Sequence, residues 1–115
     1  MKITGVGQLI RVFLGESDKY HGKPVYECIV LKARELGLAG STVIKGIEGF
    51  GATSRIHTAK ILRLSEDLPV ILEIVDTVER IKLIKEEIDK IFEESGCGGM
   101  ITVEDVEIIK YAPKK

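Results

Sequence analysis

Two stretches of this sequence carry apolar residues at helical spacing, each bracketed by short β-branched runs, and that alternation limits the folds open to the chain. The longer stretch sets Val78, Ile81, Ile84, Ile88 and Ile91 on one stripe, with Lys and Glu on the far side. The shorter sets Val25, Ile29, Ala33 and Leu36 at i, i+4, i+8 and i+11. Pro24 suits the first turn of that helix, where its missing N–H is not needed, and Gly37 suits its C-terminal cap. Asp76 or Thr77 can cap the longer helix by accepting from the free N–H groups of its first turn. Residues 96–99 stop it.

Strands are predicted over residues 9–14, 41–47, 60–64 and 70–75, with two further pieces over 100–103 and 106–111. Residues 15–24 read as a polar loop and 52–58 as a polar connector. Residues 65–69 read as the turn of a hairpin joining 60–64 to 70–75. The order is read as a β-α-β-β-α-β core with additional strand pieces, the last of them C-terminal. With right-handed crossovers this gives an α+β, ferredoxin-like βαββαβ plait, with both helices on one sheet face. The strands are apolar on both sides, however. Leu9 and Phe13 oppose Ile10 and Val12, and Ile71 and Val75 oppose Val70, Leu72 and Ile74. A sheet with one wet face alternates with polar residues, so the second face is expected to be covered by another subunit, the alternative being that the C-terminal tail folds back over it.

Composition narrows the function classes. Of 115 residues, 44% are hydrophobic and 30% charged, enough apolar material for a core and too much for disorder. Lys+Arg 17 against Asp+Glu 18 leaves a formal charge of −1, which argues against the basic footprint of a nucleic-acid binder. Apolar runs are short and interrupted, so no membrane insertion is expected, and Arg11 and Glu16 break the only stretch that could act as a secretory leader. Cys28 and Cys97 form no CxxC pair, which suits a reducing cytoplasm. The chain has no Asn and a single Gln, Gln8, beside abundant Lys and Glu, a pattern found in hot-growing sources.

The sharpest local feature is Gly46-Ile47-Glu48-Gly49-Phe50-Gly51, and a second glycine cluster is Gly96-Cys97-Gly98-Gly99. Glycine turns can aim successive backbone N–H groups at an anion, although such a cluster also marks a bulge or a bent strand end. The spacing is neither GxGxxG nor GxxxxGK[ST]. In a plait the two clusters are expected to converge only where different subunits meet; a basic residue such as Lys45, Arg55 or Lys110 would complete a phosphate site. His21 and His57 lie in predicted loops without the companions a metal site needs. Cys28 reads as a small core residue, and Cys97 has no evident base beside it. Glu66 and Asp67, adjacent in a turn, read as solvated charge, and residues 82–90 as an exposed helix face with i,i+4 pairs. An RNA-recognition module would need aromatic residues within 60–64, and acylphosphatase chemistry would need an Asn; neither is present.

At Gly15-Glu16-Ser17-Asp18-Lys19, Gly22-Lys23-Pro24, the first glycine cluster, Ser54-Arg55-Ile56-His57 and Asp67-Leu68-Pro69, the chain resembles an uncharacterised conserved PII-like family of prokaryotes, over about residues 11–111. More distantly it is similar to the PII nitrogen-regulatory signalling proteins. The resemblance implies a single PII-like ferredoxin-fold domain over residues 1–115. It further implies a homotrimer that binds an adenine nucleotide (AMP, ADP or ATP) in the clefts between subunits and signals to a target protein through the loop after strand 2. Gly49, Phe50 and Gly51 match the Gly-Phe-Gly at the base of the PII signalling loop. Thr42 and Val43 match its Thr-Val, and Gly96 and Gly98 its Gly-x-Gly phosphate loop. Lys110 matches a basic phosphate ligand of the last strand. Where PII has a Gln after Gly-Phe-Gly, Thr53 is nearest; its Lys after Gly-x-Gly is Gly99 here, and its second basic residue of the last strand is Ala112. Fewer positive charges imply a preference for a mono- or diphosphate. Arg55, His57 and the loop 19–23 are expected to supply replacement phosphate contacts. The expected nucleotide-binding set is therefore Thr42, Gly49, Phe50, Gly51, Arg55, His57, Gly96, Gly98, Gly99 and Lys110, with no catalytic residue, no metal and no prosthetic group. The alternatives are a metal-tolerance protein using the same trimeric plait without nucleotide, and a small enzyme working in the intersubunit cleft.

Overall fold

A computed structural model describes residues 3–49, the backbone of 57–58, and 68–114. In chain order the elements are β1 (Ile3–Gly15), β2 (Lys19–Tyr20), β3 (Lys23–Pro24), α1 (Val25–Glu35), β4 (Thr42–Lys45), β5 (Glu48–Gly49), β6 (His57–Thr58), β7 (Pro69–Asp76), α2 (Val78–Ser95) and β8 (Met100–Tyr111). β4, β7, β1 and β8 form one sheet in that order, antiparallel throughout, the strand order of a ferredoxin-like plait. The fold class expected from the sequence is the one found.

Both helices lie on one face because their stripes are apolar where the sheet is apolar. Ile10, Val12, Val70, Leu72 and Ile74 from the strands meet Val25, Ile29, Ala33, Ile81, Ile84, Ile88 and Ile91 from the helices in one buried cluster. Val78, read as part of the α2 stripe, lies instead at the exposed first turn of the helix. Thr77 is the N-cap, its hydroxyl accepting from Arg80 N at 3.3 Å. α1 ends at Leu36, with Gly37 following in the left-handed region at φ 77°.

Several boundaries depart from the sequence reading. β1 begins at Ile3 rather than Leu9, because β8 pairs along its whole length and a register shift between Ile3 and Gly5, with Gly5 at φ 98°, absorbs the mismatch. The two terminal pieces are one strand: Glu104 and Asp105 do not break β8, since they pair opposite Leu9 and Gln8. The supposed loop 15–24 contains the β2–β3 hairpin. The strand expected over 60–64 and the turn residues Ser65, Glu66 and Asp67 lie outside the described residues. Val70 to Glu73 have β1 on one side and β4 on the other, so no edge is left there for the hairpin expected with 60–64. The charged face of α2 pairs by i,i+3 and across helices rather than by i,i+4: Glu87 meets Lys90 at 3.6 Å and Lys32 of α1 at 3.8 Å.

The face turned away from the helices carries Leu9 opposite Val75, and Phe13 flanked by Ile71 and Met100. Val75 is 41% exposed, Ile44 46% and Met100 61%. At its centre Arg11 spans three strands, its Nε 2.8 Å from Glu73 of β7 and its Nη1 2.7 Å from Glu104 of β8. The hydrogen bond to Glu73, with the nearby charge of Glu104, raises the pKa of the guanidinium above its ordinary value.

Candidate functional site

Both glycine clusters sit at the same end of the sheet, where β4 and β1 finish and β7 and β8 begin. They lie on opposite edges of the sheet, after β4 and before β8, so within one chain they share an end without converging. Three inter-strand spacings separate them, about 14 Å.

Pro69 explains the first cluster. Gly46 N donates to Pro69 O at 2.7 Å, and a Cβ on Gly46 would stand 2.8 Å from the Pro69 ring. A Cβ on Gly49 would stand 3.1 Å from the same ring. These glycines let the backbone lie flat on Pro69. The chain then forms the two-residue ladder β5–β6, with Glu48 opposite Thr58 and Gly49 opposite His57. The connector read as 52–58 therefore closes on a stem, and Gly49 and His57 of the expected site are register partners. Phe50, Gly51 and Arg55 lie outside the described residues. Thr42 is exposed, on the helix-free face beside Glu73.

The second cluster has two jobs. Gly96 caps α2 in the left-handed region at φ 71°, its N–H donating to Phe92 O at 3.0 Å. A Cβ on Gly99 would overlap the Phe13 carbonyl oxygen and press on the Phe92 ring at 3.2–3.3 Å. Gly99→Ala is accordingly expected to lower stability by about 1–3 kcal/mol, read as a shift in the urea midpoint. An unchanged midpoint would remove the close approach as the reason for the glycine. Cys97 is half-buried, and its thiol donates to Asp18 Oδ2 at 3.3 Å, a carboxylate neighbour the sequence did not reveal.

Lys110 is not with the glycines. It lies ten residues along β8 from Met100, roughly 33 Å away at about 3.3 Å per residue. That end of β8 belongs to the α1–β4 loop, where Tyr111 donates its hydroxyl to Ala39 O at 3.0 Å. Lys45, a candidate phosphate partner, is paired with Glu16 at 2.6 Å. One chain therefore brings Gly49, His57, Gly96, Gly98 and Gly99 to one end and leaves Lys110 at the other.

Three further residues organise the site end, and the sequence had assigned none of them a role there. Asp18 accepts from Gly15 N at 3.1 Å, Glu16 anchors the end of β4, and Pro69 seats the stem. Tyr20 donates its hydroxyl to Glu94, which raises the pKa of the phenol above its ordinary 10.0. Among the described residues no group of His, Cys, Asp and Glu could hold a metal ion, and no helix is long and apolar enough to cross a membrane.

With that geometry in place, known proteins can be set beside it. The chain is 41% identical over 102 residues to a UPF0166 protein of Aquifex aeolicus, covering 89% of this chain and 92% of that one. It is 34% identical to a UPF0166 protein of Methanocaldococcus jannaschii, covering 90% and 92%. Among solved structures, CPII, a nitrogen regulatory PII-like protein from Thiomonas intermedia K12 bound to ADP, AMP and bicarbonate, superposes with a TM-score of 0.68 at 15% identity over 94% of this chain and 91% of that one. The B. subtilis GlnK–ATP complex gives 0.51 at 12% identity, covering 90% and 84%. At such identities the likeness is one of fold, and the fold is PII-like. Matched through residues 7–108, the chain belongs to the family DUF190, described as Uncharacterized ACR, COG1993.

Proposed function

We propose that this protein is a non-enzymatic, cytoplasmic PII-like regulator. It assembles as a homotrimer, binds an adenine nucleotide in the clefts between subunits, and reports it to a target protein through the loop carried on the β5–β6 stem. The observation that carries this reading is the division of the site: two glycine clusters at one end of the sheet, Lys110 at the other. Groups about 33 Å apart in one chain can hold one phosphate chain only when a second copy brings its own end alongside. The uncovered apolar face supplies a reason for copies to associate. CPII, bound to ADP and AMP, and GlnK, bound to ATP, share the fold.

Calorimetry on the purified protein is expected to show binding of AMP, ADP or ATP, weakened about tenfold or more by Lys110→Ala through loss of one charge-assisted contact. Gly98→Val is expected to weaken binding as well. Co-expressing the two variants should restore part of the binding, because mixed assemblies contain clefts built from an intact Gly98 and an intact Lys110. Absence of binding for all three nucleotides at millimolar concentration would remove the ligand from the reading. Binding without recovery in the mixture would place the whole site within one chain.

A further inference from the structure

We infer that the β2–β3 hairpin is an anion-binding finger whose Lys19, His21 and Lys23 contact the phosphate chain of the nucleotide beside the 96–99 loop. The inference rests on the nucleotide reading above and adds the source of positive charge that the glycine loop itself lacks.

The hairpin is fixed in shape. Lys19 pairs with Pro24 and Tyr20 with Lys23, and the two residues between them, His21 and Gly22, both have positive φ, 51° and 78°. That is a two-residue turn of the primed kind, in which Asn-Gly is the easier choice. A histidine there occupies a backbone conformation that costs more than it would for Asn or Gly.

It is also held in place. Val25 N donates to Asp18 O at 2.8 Å, and the thiol of Cys28 lies 3.7 Å from Tyr20 O. Asp18 Oδ2 accepts from the thiol of Cys97, and Tyr20 donates to Glu94 near the end of α2. The last two contacts join the finger to the glycine loop and to the helix turn before it.

The carboxylates at this end are engaged by groups other than the hairpin lysines. Glu16 is paired with Lys45, while Asp18 and Glu94 keep their charge but are oriented by neutral donors, Asp18 by Gly15 N and the Cys97 thiol and Glu94 by the Tyr20 hydroxyl. Among the described residues, Lys19 and Lys23 have no carboxylate within ion-pair distance, and His21 packs against Tyr20 with ring centroids 4.1 Å apart and the rings tilted by 51°. The two lysines lie on opposite faces of the hairpin, since Lys19 shares a face with Pro24 and Lys23 with Tyr20. Their flexible four-carbon stems can converge past the tip on one multiply charged group. A phosphate chain is such a group, and a neutral nucleoside is not.

The test is calorimetry on the intact protein with adenosine, ATP and tripolyphosphate, comparing wild type with the double variant Lys19→Ala, Lys23→Ala. Both side chains are exposed, and an unchanged urea midpoint confirms the fold. The expected result is ATP binding weakened about tenfold or more, adenosine binding unchanged, and tripolyphosphate binding lost. Equal weakening of adenosine and ATP would mean a structural role and overturn the inference. So would ATP binding that the double variant leaves intact while Lys110→Ala weakens it, a result under which the nucleotide reading survives. If wild type binds no adenine nucleotide, that reading falls alone: tripolyphosphate binding abolished by the double variant upholds the finger, and tripolyphosphate binding that is absent or insensitive to the variant overturns it.

Discussion

Replacing Asp76 by alanine is expected to cost about 3–5 kcal/mol of folding stability, measured by urea unfolding. Asp76 ends β7 and is fully buried, an unusual place for a carboxylate. One oxygen accepts from Ala39 N at 2.7 Å, the other from Thr77 N at 2.7 Å, and Arg80 lies 3.8 Å away. The side chain thus ties the loop after α1 to the start of α2, 37 positions on. Alanine would leave two half-buried N–H donors without their acceptors, at up to about 1–3 kcal/mol each, and a small void where the buried carboxylate stood. Asp76→Asn keeps one acceptor oxygen and is expected to fall between wild type and alanine. Hydrogen exchange at Ala39 should accelerate in both variants. A loss below about 1 kcal/mol for alanine would show that the loop holds itself without the tie.

Ile71→Lys is expected to abolish assembly while leaving the fold of each chain intact. Ile71 sits between Phe13 of β1 and Ile44 of β4 on the face without helices. A lysine there makes no intrusion on the core, because Val70 and Leu72, its neighbours in the strand, are the residues that point to the helices. Between subunits the same ammonium would be buried without a partner, which costs several kcal/mol at every interface. Sedimentation should give the mass of one 12.7 kDa chain in place of three times that mass, and nucleotide binding should disappear with the clefts. A variant that still sediments as a trimer would mean that another surface holds the subunits.

Those two residues show what the sequence made legible. Ile71 was readable as part of a second apolar face because strand alternation depends only on neighbours in the chain. The α2 stripe was readable for the same reason. Asp76 looked like a helix cap, since nothing in its surroundings in the chain announces that Ala39 will need an acceptor. The division of β8 into two pieces came from Glu104 and Asp105. Their acidity is spent across the sheet, on Arg11 at 2.7 Å and on the Gln8 amide at 3.1 Å, and only the register reveals it. The sequence reading began the first strand at Leu9 and left out the stretch holding Gly5 and Gly7, whereas Gly5 accommodates the register shift and a Cβ on Gly7 would overlap the Ile108 side chain and crowd the Asp76 carbonyl at 2.6 Å. The β2–β3 hairpin was hidden because His-Gly is a poor advertisement for a primed turn.

The site was legible as a set of residue types and illegible as an arrangement. Glycine clusters stand out in any sequence, but Pro69 beneath Gly46 and Gly49, and Phe13 behind Gly99, are contacts across strands. The distance from Lys110 to either cluster follows from one long strand, and the sequence had been read as two short ones.

The separation of Lys110 from the glycine loops has a thermodynamic corollary. If neither molecule alone can grip the ligand, ligand activity and protein concentration become interchangeable variables: each drives the other's equilibrium by mass action. Dilution would then empty the clefts even at constant nucleotide, and saturating nucleotide would rescue the oligomer from dilution. A regulator wired this way senses its own abundance along with its effector.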